Sequence, residues 1–265
     1  MGDGRLKLAL IPYLNCEPFY AGIGELGFEI VHEPPRLIGE RAARGEVLCG
    51  PMSVVDVWRV REVFEPLADF GIACEGPAYS VLLFSRREID SLAGLPIGLT
   101  AESSTSVRLL QLLLVKRYGV QPLRLSRAGG ADVAGRLLIG DDALRAAGAG
   151  LDGFPFVYDL GQEWFGWQAV PFVFARWVIS RGVPATERER IAASLESALA
   201  SWPERVPEIA ARRGRDLGLG VEEIREYLST FSYRLGPAEE YGERAFRELL
   251  ADSEIADERR PASPL

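Results

Sequence analysis

Side chains able to hold or turn over a small polar molecule fall in a few short stretches of this chain. The densest is Ser103-Ser104-Thr105-Ser106, four hydroxyls ahead of the apolar run Val107 to Val115, which only Arg108 and Gln111 interrupt. Ser and Thr at a helix start accept hydrogen bonds from the first free backbone N–H groups. Those N–H groups, at the positive end of the helix dipole, also hold a carboxylate or phosphate. One cap needs one hydroxyl. The run therefore reads either as an N-cap with spare serines or as an anion cradle at the start of a buried helix. Asn15 and Ser53 each follow an apolar strand pattern, Ser80 opens the apolar run SVLLFS, and Asp141 follows RLLIG. Each has helix capping or loop stabilisation as its alternative role. Asn15 donates and accepts hydrogen bonds but does not titrate, so its chemistry is the orientation of a substrate or a leaving hydroxyl. Tyr13 and Met52 are candidates to pack on a ligand ring, with core packing as the alternative. Arg86 and Arg176 would balance ligand charge or form surface ion pairs.

Other chemistries are poorly served. His32 is the only histidine and sits in VHEPPR, a strand end leading into a Pro-Pro turn, which reads as structural. Cys16, Cys49 and Cys74 are odd in number and widely spaced, without a CxxC pair, so neither a disulfide framework nor a zinc site is indicated. The expectation is a site without a bound metal. The net charge is −8 and no Lys/Arg-rich block stands out, which argues against nucleic acid and anionic membrane as partners. No stretch approaches the ~18 apolar residues of a membrane span. The opening MGDGRLKLALIPYLNC lacks a signal-peptide pattern, so the chain reads as cytoplasmic.

The elements that must position these residues follow in order. Leu6 to Ile11 predicts a buried strand that ends at Pro12-Tyr13-Leu14-Asn15, with a helix from about Pro18. Phe28 to Val31 and Gly45 to Gly50 read as strands, and Leu37 to Arg44 as a helix. Ser53 caps a helix over Val54 to Arg61. This β-α-β-α-β-α opening calls for a largely parallel sheet, with ligands at the carboxyl ends of its strands. Phe64 to Ile72 and Ser80 to Ser85 are further strands. A second α/β series starts at Leu95 and continues through Leu123 to Leu125 and Arg136 to Ile139. Trp164 and Trp167 belong to the core. Val170 to Ile179 is a long apolar strand, followed by helices that Pro203 and Pro207 interrupt, then Val221 to Phe231 and Ala238 to Leu250. The tail ADERRPASPL reads as disordered.

SVLLFS and PFVFARWVI bracket the central series, which suits an α/β protein of two lobes joined by two crossing strands. The boundaries expected are 1–86 for the first lobe, 87–175 for the second, and 176–265 for a helical return to the first. A ligand would sit between the lobes. Asn15, Pro51 to Ser53 and Ser80 would line one wall, and Ser103 to Ser106 with Asp141 the other.

IPYLNCEP, GPMSVVDV, CEGPAYSVLLFS, ESSTSVRLLQLLL, LLIGDDAL and YDLGQEWFGWQAVPFVFARW resemble, in order and spacing, the menaquinone-biosynthesis family with a type II periplasmic-binding-protein-like fold. The resemblance spans about residues 6 to 180 and is greatest to the chorismate-dehydrating branch. It implies a lyase that converts chorismate to 3-[(1-carboxyvinyl)oxy]benzoate in the futalosine route, without metal or organic cofactor. Loss of water aromatises the ring, so the enzyme need only position the substrate and assist one proton removal. A carboxylate of the substrate could serve as the base. For such a reaction the residue reading makes Asn15 catalytic, while Tyr13, Met52, Ser53, Ser80, Ser104, Thr105, Ser106 and Asp141 bind substrate. A sister enzyme on this fold, 1,4-dihydroxy-6-naphthoate synthase, carries a histidine base in the segment matching LLIGDDAL, where this chain has Gly140 and Asp141. A non-catalytic small-anion binding protein of the same fold is the alternative of a different class. QAVPFVFA stands where threonine-glycine-leucine before the proline is usual in the family.

Overall fold

Short apolar strands alternate with one-faced helices along the chain, and the computed structural model, which describes residues 7–121, 124–126 and 132–253, gathers them into two sheets. In the first, β1 (Lys7–Leu10) pairs in parallel with β2 (Glu29–His32) and β3 (Cys49–Ser53). Helix α1 (Pro35–Ala43) connects β2 to β3, and α2 (Val54–Val60) follows β3 directly. The sheet is completed by β4 (Phe64–Cys74) and by two strands from late in the chain, β10 (Phe172–Ser180) and β11 (Phe231–Arg234), in the order β11-β4-β10-β3-β1-β2. β10 lies antiparallel between β3 and β4, so the sheet is mixed where the sequence suggested a largely parallel one. The opening βαβ pattern is parallel as expected. The strands added by the returning chain are not.

The second sheet holds β5 (Val81–Ser85), β6 (Pro96–Gly98), β7 (Arg124–Ser126), β8 (Gly135–Ile139) and β9 (Phe156–Asp159), in the order β7-β6-β8-β5-β9. Its helices are α3 (Thr105–Leu112), continued by a π-helical turn over Leu113–Arg117, α4 (Gly140–Ala149) and α5 (Leu160–Gln168). Val81 to Ser85 of SVLLFS lie in the second sheet and Phe172 to Ile179 of PFVFARWVI in the first. The chain therefore passes between sheets in residues 75–80 and 169–171, not along those strands. Each passage contains a non-glycine residue with left-handed backbone, Tyr79 (φ 58°) and Ala169 (φ 55°).

The C-terminal part returns to the first sheet as α6 (Ala185–Leu217), α7 (Val221–Ser229), β11 and α8 (Pro237–Ala251). Pro203 and Pro207 do not break α6, which runs through both. The apolar face Ile191, Leu195, Ala198, Val206 and Ile209 stays buried across the prolines, and such packing outweighs local propensity. Pro207 has no N–H for the carbonyl of Pro203, and that carbonyl instead accepts from the Arg225 guanidinium at 2.9 Å. The tail 256–265, expected to be disordered, and Leu123 lie outside the described residues.

The core bears on the site through Phe19. This residue ends a tight 3₁₀ turn, Leu14–Phe19, and is fully buried. Its ring makes edge contacts with Phe70, Trp177 and Tyr233, at 6.2, 5.6 and 5.5 Å between centroids. Edge-on aromatic pairs each add about 0.5–1.5 kcal/mol beyond burial. The turn that carries Asn15 is thus anchored at one end in the hydrophobic core.

Candidate active site

The carboxyl ends of β1 and β3 from the first sheet face the end of β8 and the start of α3 from the second. Between them lies a cavity of about 50 Å³ lined by Tyr13, Asn15, Ser53, Ser80, Ser103 and Ser106, with Ile11, Ile139 and Phe174 as apolar wall. No lining residue carries a formal charge. Recognition of an anion here would fall to neutral hydroxyls, an amide and backbone N–H groups.

The starts of α2 and α3 meet at this cavity. The hydroxyls of Ser53 and Thr105 are 2.8 Å apart. The Thr105 N–H donates to Ser53 Oγ at 3.0 Å, and the Val55 N–H donates to Thr105 Oγ1 at 3.3 Å. Each helix start is therefore satisfied by a hydroxyl from the other. Ser53 precedes α2 as expected, yet its side chain does not cap that helix, because it is taken by Thr105. Ser103 does the capping of α3: its Oγ accepts from the Ser106 N–H at 3.0 Å and lies 3.1 Å from the Ser106 hydroxyl. The Ser104 hydroxyl is buried and has no hydrogen-bond partner among the described residues. Four hydroxyls in a row thus do three different things.

Tyr13 lies across the cleft from its own sheet. Its hydroxyl donates to Glu102 Oε2 at 2.5 Å, and its ring rests on Gly140. A Cβ at Gly140 would meet the ring at 2.7 Å, and the backbone there is left-handed (φ 56°), so only glycine fits. Burial first, then the neighbouring Glu102 carboxylate, raise the Tyr13 phenol well above its ordinary value. The Cys16 thiol at the cavity wall is raised as well, mainly by burial. Both stay protonated at neutral pH and neither is a base. Asn15 is half-buried in the 3₁₀ turn, earlier than the helix expected from Pro18, and its Oδ1 accepts from the Cys16 thiol at 3.4 Å.

Ser80 is fully buried; its hydroxyl donates to the Ala78 carbonyl at 3.2 Å and accepts from the Tyr227 hydroxyl at 2.7 Å. Asp141 does not cap α4 and does not line the cavity. It reaches back to the first sheet, where Oδ1 accepts from the Leu14 N–H at 2.9 Å and Oδ2 pairs with Arg213. Met52 is buried within β3 and is no part of the cavity lining. Arg176 is tied to Glu243 at 2.5 Å, and Arg86 donates to the Val133 carbonyl at 2.9 Å. His32 is exposed at the end of β2, away from the cavity. Among the described residues no group of His, Cys, Asp and Glu side chains is arranged to hold a metal ion, and no helix is long and apolar enough to cross a membrane.

Sequence reasoning did not single out Glu102, Arg213 or Phe174. Gly140 carried a signal, a glycine between a strand and a helix. Arg213 carried none, since only the return of α6 brings it to the first loop.

Two sheets joined by two passages, with a cavity at the meeting strand and helix ends, define a periplasmic-binding-protein-like architecture. The fold is shared with a protein from Archaeoglobus fulgidus (TM-score 0.75, 17% identity, covering 95% of this chain and 98% of that one). It is shared also with the alkanesulfonate-binding protein SsuA from Xanthomonas axonopodis pv. citri, solved with MOPS (TM-score 0.64, 14% identity, 93% and 92% covered). Within that class the chain belongs to the menaquinone-biosynthesis family, whose sequence profile matches residues 6–252. It is 33% identical over 260 residues to the chorismate dehydratase of Thermus thermophilus, covering 92% of this chain and 94% of that protein.

Proposed function

We propose that this chain removes water from chorismate to give 3-[(1-carboxyvinyl)oxy]benzoate, in the cytoplasm and without metal or organic cofactor. The observation that carries the reading is the likeness over nearly the whole chain to a chorismate dehydratase, joined to a cavity whose polar lining is entirely neutral. The proton leaves the ring carbon that bears the ether, the neighbouring hydroxyl departs as water, and the ring becomes aromatic. With Tyr13 and Cys16 held protonated, a carboxylate of the substrate is the base that this site leaves available. Asn15 orients the hydroxyl that departs. Ser53, Ser103, Thr105 and Ser106, at the starts of α2 and α3, receive the substrate carboxylates. Ser80 and Tyr13 complete the wall, Ser104 offers an uncommitted hydroxyl, and Met52 and Asp141 support the site from behind.

The cavity has room for roughly four waters at ~10–15 Å³ each. A ring with two carboxylate arms is larger, so substrate enters with the lobes parted and residues 75–80 and 169–171 as the hinges. The sister synthase reading lacks its base, because His32 lies outside the cavity.

Incubating the pure protein with chorismate in chelator-treated buffer and following the aromatic product tests the reading. Product should form at the same rate with and without chelator. Asn15→Ala should lower kcat more than it weakens product binding, since a bond strengthened in the transition state affects rate. Absence of product from the folded wild type, or activity restored only by a divalent ion, would overturn the proposal.

A further inference from the structure

The turn that carries Asn15 is held from outside its own neighbourhood. Arg213, four residues from the end of α6, reaches it with both terminal guanidinium nitrogens. Nη2 donates to the Pro12 carbonyl at 3.1 Å and pairs with Asp141; Nη1 pairs with Glu17 at 2.5 Å. Asp141, fixed by that arginine, accepts from the Leu14 N–H at 2.9 Å with its other oxygen. Residues 12, 14 and 17 are thus pinned on both sides of Asn15. Among the described residues the Asn15 side chain itself has only the weak Cys16 thiol contact, which cannot fix an amide plane. The pinning bonds are charge-assisted and well shielded, with Glu17 and Asp141 side chains 6% and 12% exposed.

We propose that Arg213 is a positioning residue for the reaction, acting through Asn15 by way of Pro12, Glu17 and the Asp141–Leu14 bond. The inference rests on the dehydration reading and assigns the C-terminal helix a part in it. The planar fork of arginine serves three acceptors at fixed angles, which lysine cannot match. A displacement of about 1 Å at a reacting group costs on the order of 100-fold in rate.

The test is a double-mutant cycle on kcat with Arg213→Met and Asn15→Ala, with Arg213→Lys in parallel in case the methionine variant does not fold. Arg213→Met, or Arg213→Lys to a lesser degree, should lower kcat about 10- to 100-fold with KM changed only a few-fold. The pair with Asn15→Ala should be no slower than Asn15→Ala alone within about two-fold. Unchanged kcat in the folded arginine variants, or losses that multiply in the pair, would overturn the proposal. A merely structural arginine would multiply, because destabilisation does not depend on Asn15. A second readout needs no turnover: the Asn15 side-chain amide pair, assigned in the ¹⁵N-labelled protein by its loss in Asn15→Ala, should shift in Arg213→Lys. If the wild type forms no product the dehydration reading fails, and the amide signal alone then decides: an unmoved pair sinks the positioning role.

Discussion

At the scale of single residues, the site is specified by close approaches as much as by polar groups. Gly140 is the sharpest case. Its left-handed backbone and the Tyr13 ring at 2.7 Å from where a Cβ would stand leave no room for a side chain. Gly140→Ala should cost about 1–2 kcal/mol of stability from the backbone alone, and should also push Tyr13 off the site, so that melting temperature and kcat fall together. Gly148, in the same helix, is the control. A Cβ there meets nothing within 4 Å, and Gly148→Ala should stabilise by about 0.5–1 kcal/mol with turnover unchanged. Thermal melts and initial rates on the two variants check this; a Gly140→Ala protein as stable and active as Gly148→Ala would contradict it. The hydroxyl cluster was legible as chemistry, because four adjacent Ser/Thr residues before an apolar helix exceed a cap. Its division of labour was not legible. Thr105 and Ser53 are 52 residues apart in sequence, and no local rule reports that one will satisfy the other.

At the scale of elements, Ala169 ends α5 in the left-handed conformation that usually falls to glycine. This is the QAVP segment that the sequence resemblance singled out, and it places a strained alanine at one passage between the sheets. Ala169→Gly should raise stability by about 1 kcal/mol, read as a higher urea midpoint with unchanged slope. An unchanged or lower midpoint would show that neighbouring contacts already relieve the strain. Most elements could be read from periodicity: β1, β2, α1 and α2 fall within about two residues of where the apolar pattern puts them, whereas β3 comes later, at Cys49–Ser53 and not Gly45 to Gly50, and the helix expected from Pro18 is the 3₁₀ turn Leu14–Phe19. The failures share a cause. β11 is only four residues, one residue after α7, and the helix expected over Val221 to Phe231 runs into its first residue. α6 survives two prolines because its buried face and the Arg225 bond act from outside the segment. Asp141 reads as a cap from its neighbours alone, and becomes an ion-pair partner only when α6 arrives.

For the whole molecule, burial has been extended to groups that ionise in alkali. Burial is the main cause that raises the phenols of Tyr13, Tyr20, Tyr227 and Tyr233, and the thiols of Cys16, Cys49 and Cys74. Folded values above unfolded ones mean that the native state keeps protons which the unfolded chain releases. Stability from these groups is therefore complete below the unfolded thiol value of about 8.5 and is lost as pH rises beyond it, more steeply past the unfolded phenol value of about 10. Each group adds about 1.4 kcal/mol per pH unit to the loss once its unfolded form ionises. Urea unfolding at pH 8, 9, 10 and 10.5 should show this steepening fall, and a flat free energy to pH 10.5 would refute it.

The bond between Ser53 and Thr105 also sets a clock. While the two helix starts hold each other, one of the two hydroxyl hydrogens is spent on the pair and both oxygens accept from backbone N–H groups, so on the proposed reading full capture of a substrate carboxylate has to wait for the pair to part. In stopped-flow mixing with the product, the observed rate should climb with concentration and then level at the parting rate, as expected when a conformational step limits binding. Ser53→Ala removes one half of the pair and should lift that ceiling while weakening affinity. A rate that rises in a straight line to the highest concentrations would mean that the two hydroxyls exchange partners faster than any ligand arrives.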